Sequence, residues 1–309
     1  MSHDHGHGHG HGPVTAAQEH RSRLAAVLVL TLAVMVAEVI GALVSGSFAL
    51  LADAGHMLTD AGGLALALVA TGLAARPATA ARTFGWQRAE VLAAMVNGMV
   101  VAVVAVLVIV EGVRRIVTPT PVRATLMLTV AVVGLVANGV GLALLRRGQA
   151  TSLNVRGAYL EVLGDLLGSV AVVGAALVVL GTGFTRADGI ASVLIGLLVA
   201  PRAVSLLRQV GAVLLEATPA GVDLDTVRAH IGDVPGVLGV HDLHAWTITS
   251  GVPVLSAHVV VAPAVIAAGE TGRVLDALHE CLTGHFDVEH CTFQVEPAGH
   301  AQHEGRTHT

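Results

Sequence analysis

Two pairs of metal-ligand side chains recur at the same spacing within apolar stretches of the sequence. His56 and Asp60 are four residues apart in GHMLTD, and Glu161 and Asp165 are four residues apart in LEVLGD. Residues at positions i and i+4 share one face of a helix, so each pair would present two donor atoms on the same side. Two such pairs facing each other would form a four-coordinate nitrogen and oxygen site, which suits a zinc-like divalent ion.

Placing a carboxylate inside an apolar stretch that spans a membrane costs free energy. Insertion scales assign each carboxylate about 2.5–3.5 kcal/mol near the centre of a membrane helix, so Asp60, Glu161 and Asp165 together cost on the order of 9 kcal/mol. A single carboxylate in a span is often only hydrogen-bonded to a neighbouring helix, and a lone histidine is more often structural than a ligand. The repetition of the same pair in two stretches favours a metal site.

The stretches that carry these residues have the length of membrane-spanning helices. The chain has 309 residues, of which 54% are hydrophobic and 13% charged, and this composition argues against an ordinary soluble enzyme. Each of six apolar runs approaches the roughly 20 residues that a helix needs to cross a bilayer. We expect spans at Leu24–Val44, Phe48–Leu73, Glu90–Val113, Thr125–Leu145, Gly157–Leu180 and Asp188–Leu207. Six spans put both termini on the same side, and residues 24–208 are predicted to form the transmembrane domain.

Arginine positions predict the orientation of these spans, because cytoplasmic loops of membrane proteins carry an excess of positive charge. All basic residues of the chain are arginines, and ten of them flank one side of the predicted spans against four on the other. This asymmetry predicts a multi-pass protein of the cell membrane with both termini in the cytoplasm. Arg114 and Arg115 oppose the trend, and an outward-facing ion pair with Glu111 is the account that the sequence offers.

Residues 209–298 predict a separate small domain. From Gln209 onward the chain has 3 arginines and 12 acidic residues, which argues against nucleic-acid binding because that function needs a concentrated basic face. The hydrophobic pattern predicts an α+β domain in the order α-β-β-α-β, with helices against an antiparallel-type sheet. Its elements are the helix Leu224–Ile231, the strands VLGVHDLHAWTI and VPVLSAHVVV, the helix Gly269–Leu282 and the strand HCTFQVEP.

The two ends of the chain are polar. Residues 1–23 begin with MSHDHGHGHGHG, which has no apolar surface to pack and predicts a disordered tail. Its histidines favour a native metal-capturing segment, with a purification tag as the alternative. Residues 299–309 are expected to form a loose tail. Cys281 and Cys291 cannot make a disulfide framework and are typical of a reducing cytosol, with a single bridge between them as the alternative.

The whole stretch from about Leu24 to Pro297 resembles the cation diffusion facilitator family, in particular its bacterial zinc-efflux type. The motifs that carry the resemblance are SGSFALLADAGHMLTDAGGLALAL, FGWQRAEVLAAMVNG, NVRGAYLEVLGDLLGSV, DGIASVLIGLLVA and VHDLHAWTITSG. The resemblance implies a homodimer with six helices per chain, cytoplasmic termini and a metallochaperone-like cytosolic domain. It also implies export of divalent metal in exchange for protons by alternating access.

The resemblance implies a transport site formed by the second and fifth spans. Carried over position by position, the site falls on His56, Asp60, Glu161 and Asp165. Zinc exporters of this family usually have histidine where this chain has Glu161. The metal preference is therefore open: zinc is expected as the principal substrate, with cadmium, cobalt, manganese and iron as further candidates.

The resemblance also implies metal sites in the cytosolic domain. His241, His258 and Glu296 fall on three separate predicted strands, at positions similar to those of the family's cytosolic sites, where zinc would act as a regulatory ion. Further candidates near the same motifs are His244, His285, His290 and Cys291. Exposed histidines without a ligand role, and a small buried cysteine, are the alternatives for these four.

Five other polar residues lie in or beside the spans. Asp53 lies one turn before His56, where a supporting or gating role competes with a hydrogen bond at the helix start. Glu38 is either a structural partner of a buried donor or part of a proton relay. Asn97 and Asn138 are expected to hydrogen-bond between helices, and Asp188 is expected to be the N-cap of the sixth span.

Two functions from different classes fit these features. The first is a proton-coupled exporter of divalent metal, and the alternative is a membrane-anchored metal sensor. The sensor does not explain the costly carboxylates in two spans. A passive channel would need weak or multiple sites in place of a tight four-ligand site. The sequence has no GxxxxGK[ST] motif, which argues against direct drive by ATP, and no enzymatic activity is expected.

Overall fold

The computed structural model describes residues 13–146, 153–249, 251–286, 288 and 290–300. The His-rich segment 1–12 and the residues 301–309 lie outside this part of the chain, so their interpretations stay predictions. Residues 13–23 belong to the first helix, Pro13–Ser45, so the prediction that the disordered tail extends to residue 23 is wrong for this part. By its internal contacts the chain divides into two compact units. Of the described residues, one unit contains those up to Leu64 together with those between Asn97 and Val204, and the other contains Ala65–Val96 together with those from Ser205 onward.

Six helices in the described chain are long and apolar enough to cross a membrane. They are α1 (Pro13–Ser45), α2 (Phe48–Ala74), α3 (Ala89–Val117), α4 (Ala124–Leu145), α5 (Leu153–Thr182) and α6 (Arg186–Leu214). Apolar side chains such as Val29 and Leu43 remain exposed on the helix surfaces, as expected for helices in contact with lipid. The prediction of six spans is confirmed.

The helices extend beyond several predicted ends. α6 continues from the predicted end at Leu207 to Leu214 and contains Pro201 in its interior, and α3 continues from Val113 to Val117. Hydropathy marks the apolar part of a helix, whereas backbone hydrogen bonding carries the helix on into more polar sequence.

Small residues let neighbouring helices approach closely. α4 packs against both α1 and α5. A Cβ atom at Gly41 of α1 would lie 2.7 Å from a side-chain atom of Val130 in α4, and one at Gly141 of α4 would lie 3.2 Å from Val162 in α5. Between the same two helices, Asn138 Nδ2 donates a hydrogen bond to Ser169 Oγ at 3.2 Å. This contact is the interhelical bond expected of Asn138.

Asp188 stabilises a different helix from the one predicted. It lies inside the first turn of α6, and its carboxylate accepts hydrogen bonds from Ser47 Oγ at 2.5 Å, Phe48 N at 2.9 Å and Ala49 N at 3.2 Å. The backbone N–H groups of Phe48 and Ala49 are donors at the start of α2 that have no partner within their own helix. The prediction of an N-cap for α6 is therefore wrong, because Asp188 caps α2 across the fold.

The arginines that opposed the charge trend have defined partners. Glu111 lies 3.6 Å from Arg114 and 3.5 Å from Arg115, which agrees with the expected ion pair. Arg115 Nη1 also donates to the Gly46 carbonyl oxygen at 2.8 Å and lies 3.3 Å from Asp188 Oδ2. Arg115 thus supports the same α2 start that Asp188 caps.

The C-terminal residues form a small α+β fold. Its elements are α7 (Leu224–Gly232), β1 (Val237–Thr247), β2 (Pro253–Val261), α8 (Pro263–Ala267), α9 (Thr271–Phe286) and β3 (His290–Pro297). The predicted order is confirmed apart from α8, a helix of five residues that is too short for a periodic pattern to reveal. The core contains Ile231 of α7, Leu255 of β2 and Leu278 and Leu282 of α9, all fully buried.

The sheet is mixed and has the order β1-β2-β3. β1 pairs with β2 in antiparallel orientation, and β3 pairs with β2 in parallel orientation with Val254 opposite His290 and Val261 opposite Pro297. The prediction of an antiparallel-type sheet is therefore wrong for β3. The helices α8 and α9 form the crossover that a parallel neighbour requires.

Candidate metal centre

α2 holds the first predicted ligand pair on one face. His56 and Asp60 are separated by about one turn, and His56 Nε2 lies 3.6 Å from Asp60 Oδ2. The imidazole is buried, whereas the Asp60 side chain remains 24% exposed. This is the proximity that the i,i+4 spacing predicts.

α5 adds Asp165 to this pair. Asp165 is buried, and its Oδ1 lies 3.9 Å from His56 Nε2. Two ligands bonded to one zinc ion in tetrahedral geometry lie about 3.3 Å apart, since each bond is about 2.0–2.1 Å long. His56 Nε2 thus lies close to one oxygen of each carboxylate, and binding of one ion by all three residues would require their side chains to move together. We define His56, Asp60 and Asp165 as the membrane cluster.

Glu161 has different surroundings. Its side chain is 55% exposed, and its Oε1 lies 3.9 Å from Arg202 Nη2. Glu161 thus lies at the edge of the membrane cluster, next to Arg202. Asp165 instead contacts His56 within the cluster.

Arg202 of α6 is a member of the site that the sequence analysis missed. Its Nη1 lies 3.4 Å from both His56 Nε2 and Asp60 Oδ2. In the sequence, Arg202 is one of the charges that flank the predicted spans. Its one distinguishing feature in the sequence is its position directly after Pro201, near the end of an apolar run. This position does not indicate which neighbouring helix the Arg202 side chain faces.

Two cavities adjoin the membrane cluster. One, of about 260 Å³, is lined by Asp60, Glu161 and Asp165 together with apolar residues of α1. The other, of about 200 Å³, is lined on its polar side by Asp53, His56 and Arg202. The cluster therefore has open space on two sides.

Two further carboxylates are buried among the same helices. Glu38 of α1 faces Gly134 of α4, where a Cβ atom would lie 2.8 Å from Glu38 Oε1. Asp53 of α2 is packed against Gly168 of α5 so closely that a side chain there would collide with it. Both carboxylates are almost fully buried. Glycine in the facing helix makes room for each of them, and their roles stay predictions.

The three cytosolic candidates lie together across the sheet. His241 of β1 is paired with His258 of β2, and their rings are 5.0 Å apart. Glu296 of β3 contacts both of them, with His241 Nε2 3.1 Å from its Oε2 and His258 Nδ1 2.8 Å from its Oε1. We define these three residues as the sheet cluster.

Hydrogen bonds control the charge of Glu296. Burial alone would raise the pKa of this carboxyl, but the hydrogen bonds from His241 and Gln294 and the nearby imidazoles outweigh burial and lower it. The Gln294 bond measures 2.9 Å. Glu296 is therefore ionised at neutral pH, which is the state that binds a metal ion.

Asp242 is a second residue that the sequence analysis missed. Donor atoms of His241, Asp242 and His258 all lie within 4.8 Å of one another. Strict alternation in a strand would direct Asp242 to the opposite face from His241. An irregularity in β1 between His241 and His244, with Asp242 at φ +46°, brings it to the same group.

The remaining cytosolic candidates lie elsewhere. His244 is exposed on β1, and His290 is at the opposite end of β3 from Glu296, with its ring 6.1 Å from Phe84. The side chain of His285 lies outside the described part of the chain. Burial raises the pKa of Cys291 to about 11, so this thiol is protonated and a poor ligand at neutral pH.

Comparison with known proteins agrees with this architecture. The cation efflux transmembrane domain matches residues 24–215, and the cytoplasmic domain of cation efflux proteins matches residues 219–298. The chain belongs to the cation efflux family. The membrane cluster, Glu161 and Arg202 lie in the first matched segment, and the sheet cluster lies in the second.

Several relatives of this cation efflux protein have names that state an activity. The metal cation efflux system protein CzcD of Cupriavidus metallidurans is 44% identical over 91% of this chain and 88% of its own. The zinc transporter ZitB of Escherichia coli is 42% identical over 85% of this chain and 83% of its own. A cadmium, cobalt and zinc/H⁺-K⁺ antiporter of Bacillus velezensis is 37% identical over 86% of this chain and 85% of its own.

A solved structure covers part of the cytosolic domain. The metal-bound C-terminal domain of the CzcD transporter from Cupriavidus metallidurans is 43% identical, covers 24% of this chain and 99% of its own, and has a TM-score of 0.22. The family and these relatives are transporters and not enzymes. The chain is accordingly a multi-pass membrane protein of a metal cation efflux family.

Proposed function

We propose that this chain exports divalent metal ions, principally zinc, in exchange for protons through the membrane cluster and Glu161. The observation that carries the proposal is that His56 Nε2, inside apolar helices, lies 3.6 Å from Asp60 and 3.9 Å from Asp165. Acidic side chains in a membrane domain are expensive unless a cation or a proton neutralises them. The names of the relatives, which include zinc transporters and an H⁺-coupled antiporter, support the same activity.

Exchange follows from the chemistry of this donor set. A metal ion needs the imidazole nitrogen and the carboxylate oxygens in their deprotonated forms. Protons bind the same atoms, so metal and protons compete for one site. When the site opens alternately to the two sides of the membrane, a proton gradient can drive metal in the opposite direction.

The decisive experiment replaces ligands of the membrane cluster. We expect His56→Ala and Asp60→Ala each to abolish zinc transport in proteoliposomes under an imposed pH gradient, while size-exclusion chromatography shows an unchanged folded assembly. Glu280→Gln is the matched control, because it removes an exposed carboxylate of α9 outside the cluster. Zinc flux that persists in Asp60→Ala, or that ignores the gradient, would contradict the exporter.

We further propose that the protein is a homodimer in the cell membrane, that both termini are cytoplasmic, and that zinc acts as a regulatory ion at the sheet cluster. The excess of arginine on one side of the spans supports the orientation. The match to the cytoplasmic domain named for dimerisation supports the assembly. Protease protection of a C-terminal tag in inside-out and right-side-out vesicles tests the orientation directly.

A further inference from the structure

The guanidinium of Arg202 lies among atoms that would bind the metal. Its Nη1 is 3.4 Å from His56 Nε2 and 3.4 Å from Asp60 Oδ2, and its Nη2 is 3.9 Å from Glu161 Oε1. One cation thus faces three of the four candidate ligands at once. Arginine stays protonated in proteins, so this is a permanent positive charge in a site built for cations.

A metal ion and this guanidinium cannot share the site without cost. A zinc ion bonded at about 2 Å to His56 and Asp60 would place its charge of +2 close to the positively charged Nη1 group of Arg202. Charges of like sign repel at such distances. The donor atoms that Arg202 faces would also have to turn toward the metal instead of toward the guanidinium.

The surroundings of Arg202 allow it to leave. Its side chain is 47% exposed, and it borders the 200 Å³ cavity that it shares with Asp53 and His56. The arm of an arginine is long and can keep its charged end in a polar region while its stem lies along apolar surface. Displacement therefore requires only a change of side-chain conformation.

We propose that Arg202 is a tethered counter-ion of the transport site: it occupies the ligands when metal has left and is displaced when metal binds. This inference deepens the proposed function and rests on it. The consequence is a lower affinity for metal and a faster release, because the departing ion is replaced by a charge that is already attached to the protein. Transport benefits from such a site, since a substrate that binds too tightly is not released.

The test compares Arg202→Gln and Arg202→Lys with the matched control Arg208→Gln, which removes the same charge farther along α6. Zinc dissociation constants are measured on the purified full-length chain by competition with a chromophoric chelator, after subtraction of the zinc bound by His56→Ala. We expect Arg202→Gln to lower the dissociation constant at least about tenfold, which corresponds to about 1.4 kcal/mol, and to reduce the maximal transport rate. Arg202→Lys keeps the charge and should stay close to the unmodified protein, as should Arg208→Gln.

Opposite results would overturn the inference. An unchanged dissociation constant in Arg202→Gln means that the guanidinium does not compete with metal. A raised one means that Arg202 supports the ligands. Arg202→Met provides the same comparison should Arg202→Gln fail to assemble. If His56→Ala still binds and transports zinc normally, the proposed transport site itself is wrong, and that outcome is separate from any effect at Arg202.

Discussion

Glu161 is the candidate ligand whose surroundings differ most from those of its neighbours. His56 and Asp165 are buried in the membrane cluster, whereas Glu161 is half exposed and faces Arg202. Two interpretations follow. Glu161 either turns inward and completes a four-ligand site when metal binds, or it serves as an ion-pair partner of Arg202 and leaves a site of three protein ligands.

Substitution of Glu161 distinguishes these interpretations. Oxygen ligands favour manganese and other hard ions relatively more, whereas imidazole favours zinc. We therefore expect Glu161→His to raise the ratio of zinc to manganese flux severalfold in proteoliposomes, and Glu161→Ala to reduce the flux of both metals. Near-normal flux and an unchanged metal ratio in Glu161→Ala would assign the site to His56, Asp60 and Asp165 alone.

At the scale of elements, the start of α2 depends on a residue from α6. Asp188 is buried and accepts hydrogen bonds from the hydroxyl of Ser47 and from the backbone of Phe48 and Ala49. The same helix α2 carries His56 about two turns later and Asp60 about three turns later. The cap therefore anchors the helix that presents half of the proposed transport site.

Removal of the Asp188 cap is expected to lower the stability of the fold. We expect Asp188→Ala to destabilise the protein by about 1–3 kcal/mol, because buried donors lose their acceptor, and to lower the thermal unfolding midpoint in detergent. Asp188→Asn should lose less, since its amide oxygen still accepts. Arg115→Met removes the ion pair but leaves the cap, and a loss as large as that of Asp188→Ala would show that the ion pair matters more.

α7 offers a second cap, with a pH dependence that can be measured. Thr226 Oγ1 and the Asp225 N–H donate to the Asp223 carboxylate, and these hydrogen bonds lower the pKa of Asp223. A carboxyl whose pKa is lower in the folded state stabilises the fold above its ordinary pKa of about 3.9. That contribution disappears as the pH falls through the lower folded-state value.

We therefore expect Asp223→Ala to increase hydrogen exchange at the start of α7 at neutral pH. The difference in unfolding midpoint between this variant and the unmodified protein should vanish at pH values well below the ordinary Asp pKa. Thr226→Val, which removes one donor and keeps the carboxylate, is the control and should have a smaller effect. A difference that persists at low pH would mean that Asp223 acts by something other than its charge.

At the scale of the whole molecule, charge is distributed unevenly along the chain. The residues from Gln209 onward carry 12 acidic residues and 3 arginines. In the proposed homodimer two such domains would repel each other, and salt screens charges incompletely at separations below the Debye length of about 8 Å. A divalent cation bound at the sheet cluster of each domain would reduce this repulsion.

We expect zinc to shorten the distance between the two cytosolic domains. A nitroxide label is attached through Arg273→Cys, at an exposed position, in a chain that also carries Cys281→Ala and Cys291→Ala. Pulsed electron paramagnetic resonance then measures the distance between the labels of the two subunits. Micromolar zinc should shift the distribution to shorter values, and Glu296→Ala should remove most of the shift. A distance that does not respond to zinc would contradict the regulatory role proposed for the sheet cluster.

Local patterns in the sequence determined the helices and strands and the proximity of residues within a ligand pair. Six apolar runs specify six helices because hydropathy and length are properties of each segment alone, and the i,i+4 spacing predicts the proximity of His56 and Asp60 without reference to any other helix. The strand pattern likewise predicts that His241, His258 and Glu296 lie on three strands.

Only the tertiary structure decided which elements meet. Asp188 caps α2 instead of α6, Arg202 faces the membrane cluster, Asp242 joins His241 through an irregularity of β1, and β3 runs parallel to β2. These outcomes depend on contacts between segments distant in sequence, or on a departure from regular backbone geometry. A periodic pattern records which face of an element is apolar. It carries no information about which neighbour packs against that face, since many neighbours satisfy the same hydrophobic requirement.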